Sequence, residues 1–186
     1  FIVSIFFLTS CSKNYSWGWY VINPKLDEGY TNILFLLDGL YITIFISTIS
    51  IFFSLILGFV IALPGLSNNN FFKIINRIYI ELFRSVPLLV LLLWVYYGLP
   101  VIFGISLNPF VAGIISLSMS DSAFEAEIFR AGIQSIKIGQ RDAAKSLGLN
   151  KYQQMRFVIF PQALKIILPA IGNQFVYVLK MSSLVS

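Results

Sequence analysis

The chain has 186 residues, 58% hydrophobic and 11% charged, with 18 Phe and a mean hydropathy of +0.84. Soluble domains carry about 25% charged residues, so this composition excludes an ordinary soluble globule and points to a polytopic membrane protein. The net charge of +5 comes without an aromatic-interleaved basic groove, which speaks against nucleic acid as a partner. The absence of His and a single Cys exclude His-based acid–base chemistry, His/Cys metal sites and an intrachain disulfide.

Phe1 to Cys11 is apolar and closes on Leu8-Thr9-Ser10-Cys11. These four residues resemble the lipobox that ends a bacterial lipoprotein signal peptide. The plainer reading is the tail of a signal or of a first hydrophobic helix, and either way the segment stands outside the core fold. Lys13 to Thr31 carries Trp17, Trp19, Tyr20 and Tyr30. Amphipathic rings favour the membrane–water interface, so this segment is placed on the outer face.

Ile33 to Leu63 exceeds the ~20 residues that cross the hydrocarbon core and forms the first span. Pro64-Gly65 and the Ser67 to Asn70 run are expected to end it as a turn. Phe71 to Arg84 is amphipathic, with Lys73, Arg77, Glu81 and Arg84, and leads into a second span, Val86 to Phe103. An uncharged turn, Gly104 to Pro109, precedes a third span from Phe110 to about Phe129 that contains Ser116, Ser118, Ser120, Asp121 and Ser122. A basic loop comes next, with Arg130, Lys137, Arg141, Lys145, Lys151, Arg156 and Lys165. A fourth span begins at Pro169 and meets the end of the sequence inside an apolar run. The basic segments after the first and third spans are assigned to the cytoplasm, and the N-terminal aromatic segment and the Gly104–Pro109 turn to the outside.

Within the loop, Asp142-Ala143-Ala144 is followed by Gly148 and then by Val158-Ile159-Phe160-Pro161. Ala143, Ala144 and Leu147 put small residues on a short helix suited to a partner's groove. Gly148 ends that helix by admitting a left-handed residue. Asn150 caps the next helix, with Gln153 placed for a capping box. Pro161 and Pro169 are expected to stop or kink the chain beyond that helix. A solvated loop that merely obeys charge topology needs its Lys and Arg but not this Ala-Ala-x3-Gly and Pro spacing.

The spacing resembles the motif E-A-A-x3-G-x9-I-x-L-P of ATP-binding-cassette importer permeases. The stretches Ala126–Gln140, Phe160–Phe175, Lys180–Ser186 and Tyr79–Pro100 are similar to polar-amino-acid permeases of the histidine/glutamine/arginine type, from about Asn32 to the end. Asp142 replaces the usual Glu and keeps its charge with less reach. Val158 and Phe160 replace Ile and Leu, and Met181 stands where many relatives have Asp. The resemblance implies an all-α, polytopic helical bundle of the type I importer kind, with a fifth core span beyond this piece. It implies segments 1–31 and 32–186, the latter carrying a coupling loop at about 131–168. It also implies that Gly139, Gln140, Asp142, Ala143, Ala144, Leu147, Gly148 and Pro161 meet a separate ATP-binding subunit. The other implied partners are a second permease chain, the same or related, an extracytoplasmic amino-acid-binding protein and membrane lipid, in a bacterial inner membrane. No GxxxxGKS or GxxxxGKT occurs, so ATP is bound by the partner, and no cofactor or enzyme activity is expected here.

An ionisable group within a span costs about 2.5–3.5 kcal/mol at the helix centre and is a functional candidate by default. Asp121, with Ser118 and Ser122 beside it, either lines a polar path and receives a ligand ammonium or pairs with a basic residue such as Arg84. Arg84 either meets a substrate carboxylate or, the favoured reading, snorkels to the interface. Glu125 and Glu127 are placed at the interface, with Glu127 paired to Arg130. Trp94, Tyr96 and Tyr97 read as packing and belt residues. The competing functions are a secondary transporter or channel for small polar solutes, which leaves the loop unexplained, and a membrane enzyme, which lacks the residues.

Overall fold

The computed structural model describes residues 18–67 and 69–185, so the lipobox-like residues and Trp17 lie outside the described residues. All regular structure among the described residues is helical. The chain divides into two units between Tyr41 and Ile42.

In the first unit a 3-10 turn, Trp19–Ile22, precedes helix α1, Asp27–Gly65. Asn32 Nδ2 donates to Val21 O at 2.9 Å and ties the turn to the helix. Asp27 and Glu28 sit in the first turn of α1, where the helix dipole favours carboxylates. Trp19 and Tyr30 are exposed.

The second unit contains the remainder of α1, then α2 (Asn70–Ser85), α3 (Leu88–Phe103), α4 (Pro109–Gln134), α5 (Ile138–Ser146) and α6 (Lys151–Ser182). α1 runs through Pro64 and ends at Gly65, and the turn that the sequence indicates follows at once. Asn69 and Asn108 cap α2 and α4, each accepting at 3.0 Å from the backbone N–H two residues on. α2 and α3 meet at a bend of 98° before Pro87 and Leu88.

Pro161, expected to stop or kink its helix, instead sits just beyond a π turn, and so does Pro100. Trp94–Gly98 precedes Pro100, and Gln154–Ile159 precedes Pro161. A proline ring clashes with the carbonyl four residues back and offers no N–H. The widened turn shifts that carbonyl away, so the helix passes through: the N–H of Leu99 bonds Trp94 O, and that of Phe160 bonds Met155 O. Pro169 also lies within α6. The helix that carries the fourth span therefore starts at Lys151, well ahead of Pro169.

By length and apolarity, α1 and α6 are each able to cross a bilayer, and a third crossing is added if α2 and α3 make one bent span. α4 falls short of that apolarity, although the sequence marks it as a span. The reason is its place at the centre. More than half its residues are buried against other helices, including Ser116, Ser118, Ser120, Asp121, Ser122 and Glu125. A helix shielded by protein does not need the greasy exterior that lipid imposes.

Two apolar clusters flank this central helix. Toward its C-terminal end, Ala126, Phe129 and Ile133 pack with Ala62 of α1, Ile80 of α2 and Ala163 and Ile167 of α6. Toward its N-terminal end, Ala112 packs with Leu91 and Val95 of α3. α1 approaches α4 closely at Gly58, where a Cβ would lie 2.5 Å from Glu125 Cβ and 3.0 Å from Ser122 O.

Candidate functional site

The loop helix α5 is held at both ends by hydrogen bonds. At its C-terminus Gly148 takes φ +74°. The Gly148 N–H then donates to Lys145 O at 2.9 Å and the Leu149 N–H to Ala144 O at 3.2 Å, a Schellman closure. Asn150 and Gln153 then exchange side-chain-to-backbone bonds, both 2.9 Å, in the capping box that the sequence spacing indicates. Arg141 reaches back to Ile133 O at 2.9 Å, anchoring α5 to the end of α4. Two sharply turned helices thus form a preshaped corner.

That corner presents large apolar side chains. Leu147 is 78% and Ile138 77% exposed, among the most exposed hydrophobics of the described chain. Asp142, Ala143 and Gly148 are exposed beside them, and Gly139 has open space over it. Asp142 pairs with Lys145 at 3.3 Å on the surface. Ala144 differs from its neighbours: at 2% exposed it turns into the chain, so the outward face is Ala143 and Leu147 rather than all three. Gln140 lies 3.4 Å from Gln162, and Pro161 is exposed in the first turn after the π segment.

The second cluster is buried. Asp121 is 3% exposed. Its Oδ2 accepts from Ser54 Oγ of α1 at 2.6 Å and its Oδ1 from Gln174 Nε2 of α6 at 2.5 Å. One carboxylate on the central helix thus holds the two helices on either side. The expected pairing with Arg84 does not occur: Arg84 stacks over the Phe124 ring at 5.1 Å.

Nor do Ser118 and Ser122 share a site with Asp121. Ser118 Oγ lies 3.2 Å from Ser50 O on α1, and Ser122 Oγ 2.8 Å from the Tyr79 hydroxyl on α2. At about 100° per residue, Ser118, three residues before Asp121, keeps to the α1 side with it but meets Ser50 rather than the carboxylate, whereas Ser122, one residue on, turns to α2. Glu125, expected at the interface, is 1% exposed under Gly58, and its Oε2 has no hydrogen-bond partner. Glu127 does pair with Arg130, whose Nε lies 2.9 Å from Glu127 Oε2.

Gln174 joins the buried carboxylate to open space. It lines a cavity of about 310 Å³ together with Arg84, Phe124 and Glu127. Sequence reading singled out neither Ser54 nor Gln174. The signal for Ser54 is the file Ser47, Ser50, Ser54 along one face of an otherwise apolar span, all 0% exposed. Gln174 carries no comparable signal, because its role depends on where α6 passes α4.

Residues 54–186 match the family described as the binding-protein-dependent transport system inner membrane component. The chain is 40% identical over 165 residues to the arginine transport system permease protein ArtQ of Bacillus subtilis, covering 89% of this chain and 75% of that protein. It is 39% identical over 155 residues to the same organism's probable glutamine ABC transporter permease protein GlnM, covering 83% and 71%. Among solved structures it is similar to an amino acid ABC transporter crystallised with histidines, with TM-score 0.78, 41% identity and coverage of 84% of this chain and 72% of that one.

Proposed function

This chain belongs to the family of binding-protein-dependent inner-membrane transport components, and on that premise we propose that it carries amino acids through the membrane while a separate subunit hydrolyses ATP. The observation that carries the reading is the α5 corner. It is a short helix locked by a Schellman turn and a capping box, with Leu147 and Ile138 exposed at its surface. Exposed Leu147 and Ile138 on a rigid corner supply apolar contact area for a partner's cleft. The proposed pocket is a cleft in the ATP-binding subunit, contacted by Gly139, Gln140, Asp142, Ala143, Leu147 and Gly148, with Ala144 and Pro161 shaping the corner from behind.

The substrate path runs by the cavity of Arg84, Phe124 and Gln174. Arg84 lines that cavity and faces the ligand carboxylate there in this reading, the alternative to snorkelling. Asp121 acts through Gln174, and Ser118 and Ser122 set the packing of α1 and α2 around it. The other partners are a second permease chain and an extracytoplasmic binding protein. A secondary transporter or channel would leave the α5 corner without a task.

The test is reconstitution with the ATP-binding subunit in proteoliposomes. ATPase activity is expected to rise when amino-acid-loaded binding protein is added, with labelled amino acid accumulating inside. An ATPase subunit that neither binds nor responds refutes the reading. The proposed orientation places α5 in the cytoplasm and the 104–109 turn outside. In a Cys11→Ser background, an impermeant thiol reagent applied to intact cells should label Ser106→Cys and spare Ser146→Cys. The reverse pattern inverts the topology.

A further inference from the structure

We infer that α2 is an interfacial helix whose basic stripe, with the adjoining ends of α1 and α4, binds the phosphate headgroup of an anionic phospholipid. The helix has two opposed stripes of the same period. Lys73, Arg77, Ile80 and Arg84 follow i, i+4, i+7, i+11, and Phe71, Ile75, Ile78 and Leu82 follow the same spacing two residues earlier. At about 100° per residue, a two-residue offset puts the second stripe on the opposite side of the helix.

Among the described residues the apolar stripe is left exposed: Phe71 is 65%, Ile78 60% and Leu82 56% exposed. The 98° bend to α3 sets α2 nearly perpendicular to the helix that follows it. A helix of this make-up, lying across the direction of a span, sinks its apolar face into the acyl boundary and turns its polar face to the headgroups.

The basic stripe borders a cavity of about 430 Å³, closed by Gly65 at the end of α1 and by Arg130 and Gln134 at the end of α4. Two helix ends place that cavity at the rim of the bundle, on the side from which the basic loop leaves. Two carboxylates line it, and both are engaged: Glu127 with Arg130 and, at 3.9 Å, Glu81 with Arg77. Among the described residues neither Lys73 nor Arg84 has a carboxylate within ion-pair distance. A second cavity, of about 280 Å³, shares Lys73 and Arg77 and reaches Asn70 at the capped N-terminus of α2. The surplus charge is cationic, beside an exposed apolar stripe. That combination fits a ligand with an anionic head and an apolar body.

Lys73 and Arg77, unlike Arg84, stand apart from the proposed solute cavity, and the test on them needs no transport. The assembled complex in neutral detergent is titrated with short-chain phosphatidylglycerol, phosphatidylcholine or inorganic phosphate, and bound ligand is read by native mass spectrometry. Phosphatidylglycerol should bind more tightly than phosphatidylcholine and weaken as salt rises. Each cation near an anionic surface contributes about fivefold in affinity, so Lys73→Gln with Arg77→Gln should weaken phosphatidylglycerol roughly 25-fold and leave phosphatidylcholine unchanged. The pair Lys73→Arg with Arg77→Lys keeps the charge and should retain binding. Equal binding of the two lipids, or no change in the Gln pair, overturns the inference. So does inorganic phosphate competing as well as the lipid, which makes the ligand a free anion. So, too, does a cysteine at position 73 cross-linking to a second permease chain, which makes the face a subunit contact. Should the Gln pair fail to assemble, the wild-type lipid preference and its salt dependence decide.

Discussion

Asp121 allows a direct ligand contact to be separated from a positioning role. Replacing it by Ala removes the acceptor for Ser54 Oγ at 2.6 Å and for Gln174 Nε2 at 2.5 Å. Hydrogen bonds to a charged group contribute about 1.5–3 kcal/mol each, so the pair amounts to roughly 3–6 kcal/mol if both donors are stranded. They are not equally stranded. Ser54 has a second acceptor, Ile51 O at 3.0 Å, and Gln174 borders a cavity that water can enter. The expected cost of Asp121→Ala is therefore about 2–4 kcal/mol. Asn keeps an acceptor for Gln174, and its amide can donate to Ser54 Oγ while Ser54 turns to Ile51, so Asp121→Asn should cost about 1 kcal/mol. Thermal unfolding of the purified complex, followed by size exclusion, should rank Asp above Asn above Ala. Uptake in proteoliposomes should survive largely intact in the Asn variant and fall at least about tenfold in the Ala variant, because Gln174 loses its hold. If Asn abolishes uptake as completely as Ala, the carboxylate meets the ligand charge itself and the positioning role is refuted. If Ala melts with the wild type, the clamp is refuted.

Further predictions concern close approach and the loop corner. A side chain at Gly58 must push α1 from α4, so Gly58→Val should destabilise the complex by about 1–3 kcal/mol, whereas Gly172→Ala, with nothing within 4 Å, should be neutral or stabilising; the two melting curves check this. Leu147→Glu should leave the protein in the membrane yet abolish stimulation of the ATPase subunit, and wild-type stimulation would count against the docking face. Gly148→Ala forces a non-Gly residue into φ +74° at a cost of about 1–2 kcal/mol. It should weaken binding of the ATPase subunit in a pull-down more than it weakens folding. Asn150→Ala removes a cap worth about 1 kcal/mol and should loosen the same corner, seen as faster amide exchange at Gln153.

Local chemistry was legible because it depends on residues close in sequence. The Gly148 turn, the Asn150–Gln153 box and the Glu127–Arg130 pair all lie within a helical turn or two, and spacing alone indicates each of them. Charge and hydropathy along the chain marked the first span, the amphipathic α2 and the basic loop. The ends of helices were less legible. Pro161 reads as a breaker, yet a π turn ahead of it absorbs the clash and the helix goes on.

What only the tertiary structure decided is which helix each polar side chain faces. Ser118 and Asp121, three residues apart, both face α1, at Ser50 and Ser54; Asp121 also reaches Gln174 of α6, while Ser122, about 100° further round, faces Tyr79 of α2. Glu125 reads as interfacial from its place near a span end and is buried because Gly58 lets α1 close over it. Sequence by itself determined that this chain is a helical membrane protein whose basic loop holds a capped helical corner, since composition, periodicity and turn residues act locally. Which carboxylate is held by partners, and by which helices, was settled by contacts between residues far apart in the chain.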